Sequence, residues 1–104
     1  MIVDCHTHVG LAAVHVRGEI MADLMRAWGK PLWNVQLEEH LKAMQAVDHA
    51  IVLAFDAPDI GLVVPNEYVA EYVAQHPEKL IGFASVDPKR PRAGYILEDA
   101  VKRL

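Results

Sequence analysis

The six residues Ala50–Phe55, Ala-Ile-Val-Leu-Ala-Phe, carry no polar side chain. An apolar run of strand length, rich in β-branched residues, predicts a strand buried on both faces, as in a parallel sheet covered by helices. Two further stretches supply partners for it. Residues 2 to 6 open apolar and then alternate, and residues 80 to 86 repeat the apolar pattern. The three strands are expected side by side and parallel, with right-handed helical crossovers.

Helical spacing fills the intervals. Ile20, Met21, Leu24, Met25 and Trp28 recur at helical intervals over 19–28, and Gly29, Lys30 and Pro31 stop that helix. This Met and Trp stripe is packing surface or the roof of a pocket. A helix over 35–46, with Asn34 as N-cap, buries Leu37, Leu41 and Met44 and pairs Glu38 with Lys42 on its exposed side. Another spans 67–75 behind an Asn66 cap and closes before Pro77, with Tyr68, Val69, Tyr72 and Val73 inward. The last runs from about residue 92 to 104, and residues 11–18 read as a loop. Strand and helix alternate throughout, which is the pattern of an α/β fold.

The N-terminal stretch Met1–Gly10, Met-Ile-Val-Asp-Cys-His-Thr-His-Val-Gly, carries the chemistry. Side chains two apart on a strand share a face, so His6 and His8 point the same way, with Asp4 one step deeper on that face. Two neutral imidazoles at the exit of a strand can converge on a zinc or similar divalent ion, and Asp4 could orient one ring from behind. The alternative is an imidazole pair in a hydrogen-bonded surface turn. The same parity sends Cys5 to the opposite side, against the helix layer, as a small apolar group.

At these residues the chain resembles a known family. Ile2-Val3-Asp4-Cys5-His6-Thr7-His8 is similar to the first-strand signature of the amidohydrolase superfamily, in the amidohydrolase-related branch that includes aminocarboxymuconate-semialdehyde decarboxylase and the resorcylate decarboxylases. Val64-Pro65-Asn66-Glu67-Tyr68-Val69-Ala70, and His76 through Pro88, resemble the same branch in order and spacing. The resemblance implies the N-terminal three strand-helix units of a (β/α)₈ TIM barrel, with a helical insertion after strand 1. It implies His6 and His8 as metal ligands, zinc being expected and manganese the alternative. The family's further ligands, typically another histidine and a late aspartate, come from later strands, so here the ion is expected to be absent or loosely held.

Three more residues are candidates. Asp56 leaves the second strand at its carboxyl end, where it is either a catalytic carboxylate or a turn aspartate bonding local amides. As a site residue it should stand nearer the histidine pair than His15, His40, His49 or His76. His15 and Arg17 are substrate contacts above the metal or parts of an exposed loop. His40, with no partner at chelating spacing, reads as solvated.

With 104 residues the chain is one domain, 1–104, whereas a complete barrel takes about 250. It is therefore expected to be the N-terminal part of a longer enzyme. A composition of 53% hydrophobic residues argues against disorder, and a net charge of -4 gives no support to nucleic-acid or anionic-membrane binding. Cys5 is the only cysteine, no apolar run is long enough to span a membrane, and a cytoplasmic setting is the default. Two functions stay open. One is a metal-dependent hydrolase or non-oxidative decarboxylase, homo-oligomeric as a whole, acting on a small carboxylated or cyclic substrate. The other is a non-catalytic α/β fragment or interaction module, in which case the chain itself is not an enzyme.

Overall fold

The computed structural model describes residues 1–29 and 34–104. In chain order the elements are β1 (Val3–His8), α1 (Ala12–His15), α2 (Ile20–Trp28), α3 (Leu37–Ala43), β2 (His49–Leu53), β3 (Phe55–Ala57), β4 (Leu62–Val64), α4 (Asn66–Val73), β5 (Leu80–Phe83) and α5 (Ala93–Arg103). Strands β1, β2 and β5 form a parallel three-stranded sheet in that order. The fold is thus α/β, with the three expected strands adjacent and parallel.

One face of this sheet is the core. Ala50 and Val52 of β2 and Leu80 of β5 are buried beside Val69 and Tyr72 of α4, and Leu37 and Leu41 of α3 pack against the cluster. Gly82 lets α4 approach closely: a Cβ there would lie 3.3 Å from the Val73 side chain. The other face is open. Val3, Ile81 and Phe83 keep 41%, 41% and 51% of their surface exposed, values that mark a bare sheet face rather than isolated apolar residues.

Strand β1 departs from simple alternation. Asp4 pairs with Ala50 and Thr7 with Val52, so three steps along β1 match two along β2. The extra residue is a bulge, and a bulge resets which side chains share a face. Asp4 consequently lies with Ala50 on the helix side, not beside His6 and His8 as alternation predicts. Cys5, expected to be packed, is exposed for the same reason. Beyond the bulge, the buried Thr7 hydroxyl donates to the Ile51 carbonyl at 2.8 Å and restores the pairing.

Other expectations also need correction. The run after Leu53 does not continue β2. It turns into an antiparallel hairpin, with Phe55 opposite Val64 and Asp56 opposite Val63, around a 3₁₀ turn at Pro58–Ile60. The third strand stops at Phe83 rather than Val86, because the Asn66 side chain takes both backbone groups of Ser85, donating to its carbonyl and accepting its N–H. Asn66 therefore lies inside α4 and does not cap it. Helix α3 is shorter than expected and starts after Gln36. Asn34 instead accepts the Ala12 N–H. Residues 11–18 are not all loop, since α1 forms there. The α2 helix ends at Gly29 as expected, with φ 69°, while Lys30 and Pro31 lie outside the described residues.

Candidate functional site

The bulge leaves His6 and His8 on one side of β1, at its carboxyl end. Their Nε2 atoms stand 3.0 Å apart and their rings meet edge to face. Two lone pairs cannot face each other at that distance without a proton or a cation between them. A proton carried on the Nε2 of either ring and shared with the other satisfies both. Burial lowers the His8 pKa, a backbone hydrogen bond with Leu53 works against that, and His6 adds to the lowering. His8 is thus held neutral, the form that binds metal.

The donor set fits a divalent ion in part. Zinc–nitrogen bonds of about 2.0–2.1 Å at a tetrahedral angle place two donor nitrogens about 3.3 Å apart, a few tenths more than the pair shows. Small ring rotations supply that. Among the described residues, however, no group of three His, Cys, Asp or Glu side chains is placed to hold one ion. Two imidazoles alone fall short of the three protein ligands usual at a catalytic zinc.

Around it lies an open cleft of about 350 Å³, walled by Leu53, Ala54, Phe55, Ala84 and Ser85. The Phe55 ring sits 5.1 Å from the His8 ring and covers its apolar side. None of these wall residues was singled out from sequence. The available signal was position: each lies at or just past the carboxyl end of a parallel strand, where α/β sheets place their ligands.

The other candidates are dispersed. Asp4 accepts the backbone N–H of His6 at 3.1 Å, steadying the bulge rather than touching either ring. Asp56 lies on β3, one residue past Phe55, so its side chain leaves the opposite face of the hairpin. Both its oxygens take the Arg90 guanidinium at 2.6 Å, and it also accepts the Asp87 N–H at 2.8 Å. The Arg90 hydrogen bond is the main reason that its pKa lies below the ordinary carboxylate value. This carboxylate fastens the segment after β5 to the hairpin.

His15 is buried in α1, its Nδ1 accepting the Leu11 N–H at 2.9 Å and its ring 4.5 Å from the Tyr68 ring. Arg17 is exposed just beyond, tied down through its backbone N–H to the Gly61 carbonyl at 2.7 Å. His40, read as solvated, is buried: its Nδ1 meets the Tyr72 hydroxyl at 3.0 Å. No protein-family model, curated protein or solved structure matches the chain.

Proposed function

We propose that this chain forms the metal-binding edge of an amidohydrolase-type (β/α)₈ barrel, in which His6 and His8 provide two ligands to a divalent ion, zinc or manganese. The reaction is the hydrolysis or non-oxidative decarboxylation of a small carboxylated or cyclic substrate. One observation carries this reading: two Nε2 atoms 3.0 Å apart at the carboxyl end of a parallel strand. The bare sheet face supports it as well, because a parallel sheet with helices on one side only has the form of an arc of barrel wall whose inner surface still lacks its partners.

His6 and His8 hold the ion, His8 with its lone pair kept free by burial. Phe55, with Leu53, Ala54 and Ala84, offers an apolar wall to a substrate ring and excludes water from one side of the pair. A divalent ion in that place acts as a Lewis acid toward a substrate oxygen.

Calorimetric titration of the chain with zinc tests the proposal. Weak binding at one site is expected, released protons accompanying it, and both His6→Ala and His8→Ala should abolish it. Zinc affinity unchanged in either variant would sink the reading. A second reading, an interaction module, is favoured by the exposure of Ile81 and Phe83. It predicts concentration-dependent self-association and no zinc binding dependent on the two histidines.

A further inference from the structure

On the far side of the β3–β4 hairpin from Phe55, a second cleft of about 490 Å³ opens between α1 and the hairpin. Val14, Val63 and Pro65 give it apolar walls, and His15, Arg17 and Arg90 give it polar ones. It shares no lining residue with the cleft at His6 and His8.

The polar groups are all donors. His15 accepts the Leu11 amide at Nδ1, so its neutral ring carries the proton on Nε2. Arg17 has no carboxylate within ion-pair distance among the described residues, and its backbone, not its side chain, anchors it. Arg90 gives Nε and Nη2 to Asp56 and keeps Nη1. The acids nearby are largely committed elsewhere: Asp56 to Arg90, Asp59 to Lys89 and Asp23 to Arg26, which leaves Glu19 on the adjoining groove.

We propose that this cleft binds a small organic carboxylate with an apolar body. The Arg17 guanidinium takes the charged end as a planar fork, the spare Arg90 and His15 donors complete its hydrogen bonds, and the valine and proline walls take the hydrocarbon. Each half of the ligand has its counterpart, whereas inorganic phosphate would leave the apolar walls unused. The inference does not depend on metal at His6 and His8.

Titration with benzoate, followed by nuclear magnetic resonance shifts of the histidine ring protons, tests it. Saturable binding is expected, weaker by about tenfold or more in Arg17→Gln, the size of a lost charged hydrogen bond. Binding should be unaffected in His6→Ala. The Arg17 side chain is exposed and its anchoring contact is backbone, so Arg17→Gln should fold, which circular dichroism verifies. Four outcomes overturn the proposal: no saturable binding, equal affinity for neutral benzamide or for inorganic phosphate, no loss in Arg17→Gln, or a loss in His6→Ala, which would move the ligand to the histidine pair.

Discussion

Gly61 joins the two halves of the second cleft. Its φ is 78°, its carbonyl accepts the Arg17 N–H, and a Cβ built on it would lie 2.1 Å from the Arg17 carbonyl oxygen. Gly29 has a similar φ of 69°, but among the described residues nothing lies within 4 Å of such a Cβ. Left-handed backbone alone costs a non-glycine residue about 1–2 kcal/mol, so Gly29→Ala should lose roughly that much. Gly61→Ala must also push two backbone segments apart and should lose clearly more, about 3 kcal/mol. Urea unfolding of both variants measures the difference. Equal losses would mean that the contact between Arg17 and Gly61 contributes nothing. At this scale the sequence is only partly legible. His6 and His8 declare themselves by spacing, but no local pattern marks His40 as buried, since its partner Tyr72 lies 32 residues away. Asp4 misleads for a different reason: one bulge residue reverses the parity on which the reading of its face depends.

Helices α3 and α4 sit on the same face of the sheet and are joined by the bond between His40 and Tyr72. Burial lowers the His40 pKa, with Asp4 opposing, and raises that of Tyr72 to about 12, with Tyr68 adding to the rise. Both groups are therefore neutral in the fold across the ordinary pH range. The signs follow from which state binds more protons. Below the unfolded histidine value of about 6.5, the unfolded chain gains a proton that the buried ring refuses, so stability falls with acidification. His8 and His15, also lowered by burial, act in the same direction. Above the unfolded tyrosine value of about 10, the unfolded chain loses a proton that Tyr72 keeps, so stability falls again up to the folded value. Chemical unfolding as a function of pH should show both flanks. His40→Phe should shallow the acid flank and spare the alkaline one, whereas an unchanged acid slope would exclude His40 as a source. Elements with long hydrophobic periods were legible here, as the three parallel strands and their helices show. The β3–β4 hairpin was not, because three-residue strands carry little pattern. Its one signal was chemical: Pro58-Asp59-Ile60-Gly61 is a turn sequence, set between Phe55-Asp56-Ala57, which alternates, and the apolar triplet Leu62-Val63-Val64.

For the molecule as a whole, the asymmetry of the sheet sets behaviour. Leu80 and Ile81 are neighbours on β5, yet Leu80 is 3% exposed against α4 and Ile81 is 41% exposed on the bare face. Folding energetics should divide along that boundary. Leu80→Ala removes buried hydrocarbon and leaves a cavity, at a cost of about 2–5 kcal/mol. Phe83→Ser removes a side chain that keeps 51% of its surface exposed in the fold, and should cost less than about 1.5 kcal/mol. Phe83→Ser should instead change association: sedimentation of the parent chain is expected to show larger species as concentration rises, because the bare face and the open edges of β1 and β5 can be covered by another copy. The substitution reduces that tendency, and adding Ile81→Ser reduces it further. If Phe83→Ser unfolds the chain as readily as Leu80→Ala does, the face is already covered within the monomer, and the arc of barrel wall on which the proposed metal centre rests loses its support. A small stability cost combined with weaker association would leave His6 and His8 at the rim of a surface that still has room for further strands.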